Sequence, residues 1–203
     1  YHSARVSKIF HMGVPGDIQK GSNGTDDEAS WTERFNSKGP EVFCEGEAVL
    51  LEGNPKGTKK VRGGNTLEYN IAAGDDLVHS DGKTAAKAVE LLAQYKEVPF
   101  FLAVGFVRPH VPFVAPAKYY EPYPFDKVKL PESVENDWDD IPKAGINYRT
   151  SPGMLLDDRM KREAIGAYYA SVSYMDTQVG KVLTALKDNG LEDNTVVIFT
   201  SDH

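Results

Sequence analysis

Three clusters of polar residues in this chain have the types and spacing to do chemistry on an oxyanion. Lys8 and His11 share the segment Ser7-Lys8-Ile9-Phe10-His11, His110 sits in Arg108-Pro109-His110-Val111-Pro112-Phe113, and Asp202 and His203 close the segment Phe199-Thr200-Ser201-Asp202-His203. A lysine brings positive charge, and imidazoles give and take protons near neutral pH. Each signal alone is weak, because a lone histidine beside a strand is more often a structural hydrogen-bonding group and a lysine is usually solvated. Their joint placement is the argument. Each cluster follows an apolar or extended segment, and the carboxyl ends of strands in open α/β sheets converge on a ligand crevice.

The elements that must position these groups are legible as alternating helices and strands. Val196, Val197, Ile198 and Phe199 form an unbroken apolar run that predicts a strand buried on both faces of a largely parallel sheet. Phe100 to Phe106 predicts a second such strand, and residues 5–11 an extended segment leading into a turn at Met12 to Gly16. Apolar residues at 85, 88, 89, 92 and 95 predict a helix over 83–96, and the run from Ile165 to Leu186 predicts a long helix over 158–188 capped by Asp157 or Asp158. Residues 48–51 and 66–71 flank a Gly/Pro-rich turn and suggest a hairpin-like excursion. Residues 16–40 read as a long loop anchored by Trp31 and Phe35, and the proline- and aromatic-rich stretch 114–153, with Trp138, as a segment walling a cleft. The expected fold is α/β, a mixed, largely parallel sheet flanked by helices. Residues 1–203 form part of one domain, with no linker to an independent second one.

Composition narrows the function classes. The 203 residues are 40% hydrophobic and 26% charged, which suits a globular domain rather than a disordered or fibrous one. A formal charge of −7 argues against a nucleic-acid backbone as partner, so an anionic ligand needs a local basic pocket. Lys59, Lys60 and Arg62 read as a solvated turn rather than as that pocket. No apolar run approaches the roughly 20 residues of a membrane span. The single Cys44 leaves the redox compartment open, and the absence of a starting Met leaves room for an upstream export signal. Asn23-Gly24-Thr25 fits a glycosylation sequon, a short pattern that recurs by chance.

The same residues resemble a known family. Ser7-Lys8-Ile9-Phe10-His11 looks like the Gly-Lys-x-Phe-His segment of sulfatases, and Arg108 to Phe113 looks like their Pro-His-x-Pro-Phe segment. The helix from Tyr168 to Gly180 and the ending Phe199 to His203 complete the pattern, whose order is most similar to the iduronate-2-sulfatase branch of the alkaline-phosphatase-like superfamily. The resemblance implies a sulfuric-ester hydrolase acting on sulfated sugars, secreted or periplasmic, or else lysosomal. It implies that Asp202 and His203 ligate a calcium ion, Asp202 as the expected hard-oxygen ligand and His203 as a less usual one. It further implies that Lys8 contacts the sulfate, that His11 sits beside the hydroxyl of a hydrated formylglycine nucleophile, and that His110 faces the leaving oxygen or the sulfate.

One departure limits what the chain can do. The Cys/Ser-x-Pro-x-Arg motif that becomes formylglycine does not occur, and Cys44 lacks both the Pro and the Arg, so it reads as a small buried or loop thiol. The family's early aspartate pair is also missing, because Asp26-Asp27 and Asp75-Asp76 follow Lys8 instead of preceding it; Asp139-Asp140 reads as a solvated pair. The expectation is an internal portion of a longer sulfatase, inert alone, whose partners are the remaining segments of the same catalytic domain and a sulfated carbohydrate. The alternatives are a phosphodiester or phosphonate hydrolase of the superfamily, or a carbohydrate-binding pseudoenzyme.

Overall fold

The computed structural model describes residues 1–51, 66–132, 134–137, 139–145 and 156–201. Lys59, Lys60, Arg62, Trp138, Asp202 and His203 lie outside them. The architecture is mixed α/β, and the chain divides into two compact units. Unit one comprises Tyr1–Gly39, Asp76–Val107 and Met175–His203; unit two comprises Pro40–Asp75 and Arg108–Tyr174.

Unit one is built on a parallel sheet in the order β2-β1-β5, with β1 His2–Ser7, β2 Glu33–Phe35 and β5 Phe100–Gly105. β1 is central, so both of its edges are paired. Ala4 and Val6 pack against Leu91 and Tyr95, while Arg5 on the opposite face is only 1% exposed. β2 falls inside the stretch expected to be loop. Three residues, two of them charged, carry no strand periodicity, and β2 forms because the second edge of β1 supplies its hydrogen bonds. Trp31 stacks on Phe101 with centroids 6.0 Å apart, and Phe35 packs on the cluster of β1, so both expected anchors hold. The same stretch also contains a short helix, α1 Gly16–Lys20.

Helix α2, Ser80–Tyr95, starts three residues earlier than its pattern suggests. Asp81 does not cap it; buried inside the first turn, its Oδ1 accepts the Val107 amide at 2.8 Å. Gly82 is required there, because a Cβ would lie 1.9 Å from the Asp76 carbonyl oxygen. Leu91 and Leu92 carry α2 onto the sheet and onto the second half of α3, Asp158–Asp188, through Ala185 and Leu186. Burial of each leucine contributes about 1.5–3 kcal/mol. Asp76 ties the same elements together, accepting from Lys181 Nζ at 2.6 Å and Gln178 Nε2 at 3.1 Å.

Unit two contains a second sheet in the order β3-β4-β6: β3 Gly46–Leu50, β4 Glu68–Ala72 and β6 Phe113–Pro116. β3 and β4 pair antiparallel, the expected hairpin-like excursion, and β6 joins β4 in parallel. β6 lies at the start of the proline-rich stretch expected to wall a cleft, and it is a strand because β4 offers it an edge. Among its described residues the remainder of that stretch holds only short 3-10 turns. The core gathers Leu51, Tyr69, Phe113, Tyr119 and Tyr120 around Ala167, Ala170 and Tyr174 of the first half of α3. Asp157 caps α3, its Oδ1 accepting the Met160 amide at 2.8 Å.

One expectation is overturned. Val196 to Phe199 form no strand among the described residues, and they are exposed, Val196 at 87% and Phe199 at 75%. Apolarity makes a segment fit for a sheet but does not provide the neighbouring strands, and no described strand pairs with this run.

The buried Tyr120 hydroxyl lies 3.0 Å from the Asn70 carbonyl and 3.1 Å from that of Phe113, joining β4 to β6. Tyr120→Phe should cost about 1–3 kcal/mol, read as a lowered midpoint in urea unfolding. Burial, reinforced by donation to Glu33, pushes the Tyr95 phenol up from 10.0 to about 12. The folded chain therefore holds this proton more tightly than the unfolded one; the stabilisation is fully present below pH 10 and lost as pH rises through about 12. The urea midpoint should fall more steeply across that window in the parent chain than in Tyr95→Phe; equal slopes would assign the alkaline loss elsewhere.

Candidate functional site

Lys8 and His11 stand at the carboxyl end of β1, on a backbone fixed from several sides. Ser7 has a left-handed φ of 60°, uncommon outside glycine. Its carbonyl accepts Arg5 Nη1 at 2.7 Å and the Ile9 amide at 3.0 Å, and its hydroxyl pairs with Thr84 Oγ1 at 2.8 Å. The Lys8 amide donates to the Gly105 carbonyl at 3.2 Å, and the His11 carbonyl accepts the Thr25 amide at 2.8 Å. Lys8 is half-buried and His11 exposed.

Arg5, which sequence reasoning did not single out, organises this end of the sheet. Besides Ser7 it donates to Asn36 Oδ1 at 2.8 Å, Asn23 Oδ1 at 3.0 Å and Asp26 Oδ2 at 3.1 Å. Asp26 also receives the Trp31 indole and Arg34, and so belongs to this structural network rather than to a metal site. Asn23, the sequon asparagine, accepts within the network through Oδ1. A charged residue set between Ala4 and Val6 is the one sequence signal that could have revealed Arg5. The turn after His11 is held by Asp17, whose carboxylate accepts the Gly13 amide at 2.6 Å and the Ser22 hydroxyl at 2.8 Å, bonds that keep its pKa below the usual carboxylate value.

His110 belongs to unit two, whereas Lys8 and His11 belong to unit one. It is half-buried, and its Nδ1 lies against the Val111 carbonyl oxygen. With Nδ1 committed as donor there, proton exchange falls to Nε2. Arg108, two residues earlier, is buried and donates from Nη1 to the carbonyls of His110 at 2.8 Å and Pro112 at 2.5 Å.

Among the described residues no group of three or more His, Cys, Asp or Glu is arranged to hold a metal ion. Cys44 is half-buried against Val42, Ala72 and Val114, a loop thiol as expected. Asp139 and Asp140 are exposed. No helix among the described residues is long and apolar enough to cross a membrane.

Lys8 and His11 follow the carboxyl end of the central strand of a parallel sheet, the place where open α/β sheets usually put a ligand crevice. The family model described as Sulfatase matches residues 28–203, and the chain belongs to the sulfatase family. A sulfatase of Formosa agariphila is 31% identical over 209 residues, a match covering all of this chain and 39% of the relative. Human iduronate 2-sulfatase is 32% identical over 227 residues, covering all of this chain and 38% of the relative. An arylsulfatase of Clostridium perfringens is 38% identical over 108 residues, covering 52% of this chain and 22% of the relative. The chain thus spans about two fifths of the length of the Formosa and human sulfatases. The resemblance read from the Lys/His, Pro-His and Asp-His segments is borne out.

The close approach of β5 to β1 supplies a test of how Lys8 is held. A Cβ on Gly105 would lie 1.9 Å from the Lys8 carbonyl oxygen and 2.2 Å from its carbon. Gly105→Ala should therefore destabilise the chain by about 1–3 kcal/mol in urea unfolding and shift the Lys8 amide resonance, because backbone has to move. An unchanged midpoint and an unmoved amide would contradict the packing.

Proposed function

We propose that the complete polypeptide hydrolyses sulfate esters of sugars in the manner of an iduronate 2-sulfatase. The observation that carries this reading is the fixed presentation of Lys8 and His11 beyond β1, in a chain matched by the sulfatase family over residues 28–203. In it, Lys8 binds a sulfate oxygen and offsets negative charge growing on the transferred group. His11 lies beside the hydroxyl of the nucleophile and holds or receives its proton. His110, with Nδ1 turned to Val111, presents Nε2 to the departing oxygen.

Asp202 and His203 are proposed ligands of a calcium ion, for which the Asp202 carboxylate is the fitting hard-oxygen donor and His203 the softer one. When bound, such an ion neutralises sulfate charge and orients the nucleophile. The formylglycine nucleophile would come from outside residues 1–203, which contain no Cys/Ser-x-Pro-x-Arg segment. Both compact units are proposed to belong to one catalytic domain, acting on a sulfated carbohydrate in a secreted or periplasmic setting, with a lysosomal one as the alternative. The 203-residue chain alone is expected to turn over no ester.

The test uses the complete protein with matched aryl sulfate and aryl phosphate substrates. Sulfate hydrolysis should dominate, and Lys8→Ala should lower kcat for the sulfate by about 100-fold or more, the scale of removing one group that stabilises transition-state charge. A strong phosphate preference would replace this reading by that of a phosphoester hydrolase. Lack of any turnover, with carbohydrate binding retained, would favour the pseudoenzyme. Sulfate-ester hydrolysis by the purified 203-residue chain would refute its proposed inertness.

A further inference from the structure

We infer that the buried ion pair of Arg108 and Glu41 is the positioning device for His110. Both side chains are 2% exposed and in direct contact, with Arg108 Nη2 donating to Glu41 Oε2. Removing two charges from water costs several kcal/mol per ion, and well-packed apolar residues would serve stability as well or better. The pair is therefore better explained by what the guanidinium holds than by the strength of the pair itself.

What it holds is the main chain on both sides of Val111. Arg108 Nη1 donates to the carbonyls of His110 and Pro112, so the side chain folds back over its own loop and fixes residues 110–112 from within. A planar fork with donors in fixed directions suits this task, because it satisfies two carbonyls and a carboxylate at once. Glu41 is itself anchored. It opens a 3-10 turn, Glu41–Phe43, with a left-handed φ of 51°, and the adjacent Val42 is fully buried against Ala72 of β4 and Val114 of β6. A rigid path thus runs from the β4–β6 pair through Glu41 and Arg108 to the backbone of His110. The contact of Nδ1 with the Val111 carbonyl then sets the ring. Backbone and ring are both determined, which gives Nε2 one place in unit two. Arg108 and Glu41 are positioning residues, acting through His110.

This inference rests on the reading that His110 serves the departing oxygen, and the experiment separates the two. In the complete protein, kcat and KM are measured for 4-nitrophenyl sulfate and phenyl sulfate in the parent, His110→Gln, Arg108→Met, Arg108→Lys and Glu41→Gln, each checked for folding by circular dichroism. Proton donation matters most for the poorer leaving group, so His110→Gln should depress phenyl sulfate turnover more than 4-nitrophenyl sulfate turnover. Arg108→Met should show the same asymmetry, lowering kcat for phenyl sulfate by about 10–100-fold while KM stays within about threefold, the scale of a small displacement of a catalytic group. Arg108→Lys, whose single ammonium cannot span two carbonyls and a carboxylate, should recover little of the loss, and Glu41→Gln should show a smaller loss of the same kind. A folded Arg108→Met or Glu41→Gln with parental kcat, or with equal losses on both substrates, overturns the positioning role. If Arg108→Met fails to fold, the near-isosteric Glu41→Gln decides alone. A His110→Gln variant without the asymmetry overturns the parent reading, and the inference with it, in a variant that leaves Arg108 and Glu41 untouched.

Discussion

Buried guanidinium groups that grip main-chain carbonyls are the constraint on which the candidate chemistry depends. Arg5 holds the Ser7 carbonyl one residue before Lys8, and Arg108 holds the carbonyl of His110 itself. In each case the arginine lies two residues ahead of the carbonyl it grips and is tied to a buried carboxylate, Asp26 or Glu41. A neutral donor could satisfy one carbonyl, but an arginine spans several acceptors in a fixed plane and so converts a flexible loop into a defined one. The same logic explains two left-handed residues that are not glycine. Ser7 and Glu41 occupy costly backbone conformations, and such conformations persist where surrounding bonds over-determine them.

These clamps stand on unequal foundations. The Lys8 end belongs to a strand paired on both sides within a parallel sheet, and β5 approaches so closely that only glycine fits at position 105. The His110 end belongs to a loop that leads into β6, and its rigidity comes from side-chain bonds more than from ladder hydrogen bonds. Two parts of one proposed mechanism are therefore held by different physics, one by sheet pairing and the other by a buried charge.

Helical spacing and an unbroken apolar run made α2, α3 and β5 legible from sequence, since burial of a repeating face leaves a periodic mark, whereas residues 5–11 read only as an extended segment that overlaps the end of β1. The motif residues were legible as well, because Lys8, His11 and His110 follow such elements directly. What was hidden depends on partners distant in sequence. β2 and β6 are short and exist because an edge of β1 or β4 awaits them. Arg5 and Glu41 look like surface charges until their hydrogen-bond partners 18 to 67 residues away are known. The opposite error occurred at Val196 to Phe199, where composition suited a buried strand and no described strand lies alongside it.

That exposed run carries a colloidal consequence. Four consecutive β-branched or aromatic residues without charge, with open backbone and exposures of 54% to 87%, have the makeup of segments that seed cross-β stacking between chains. Asp193 and Asp202 bracket the run in sequence, the arrangement by which acidic gatekeepers slow such assembly. The handling of this 203-residue polypeptide would thus be governed by these exposed residues rather than by the stability of either core.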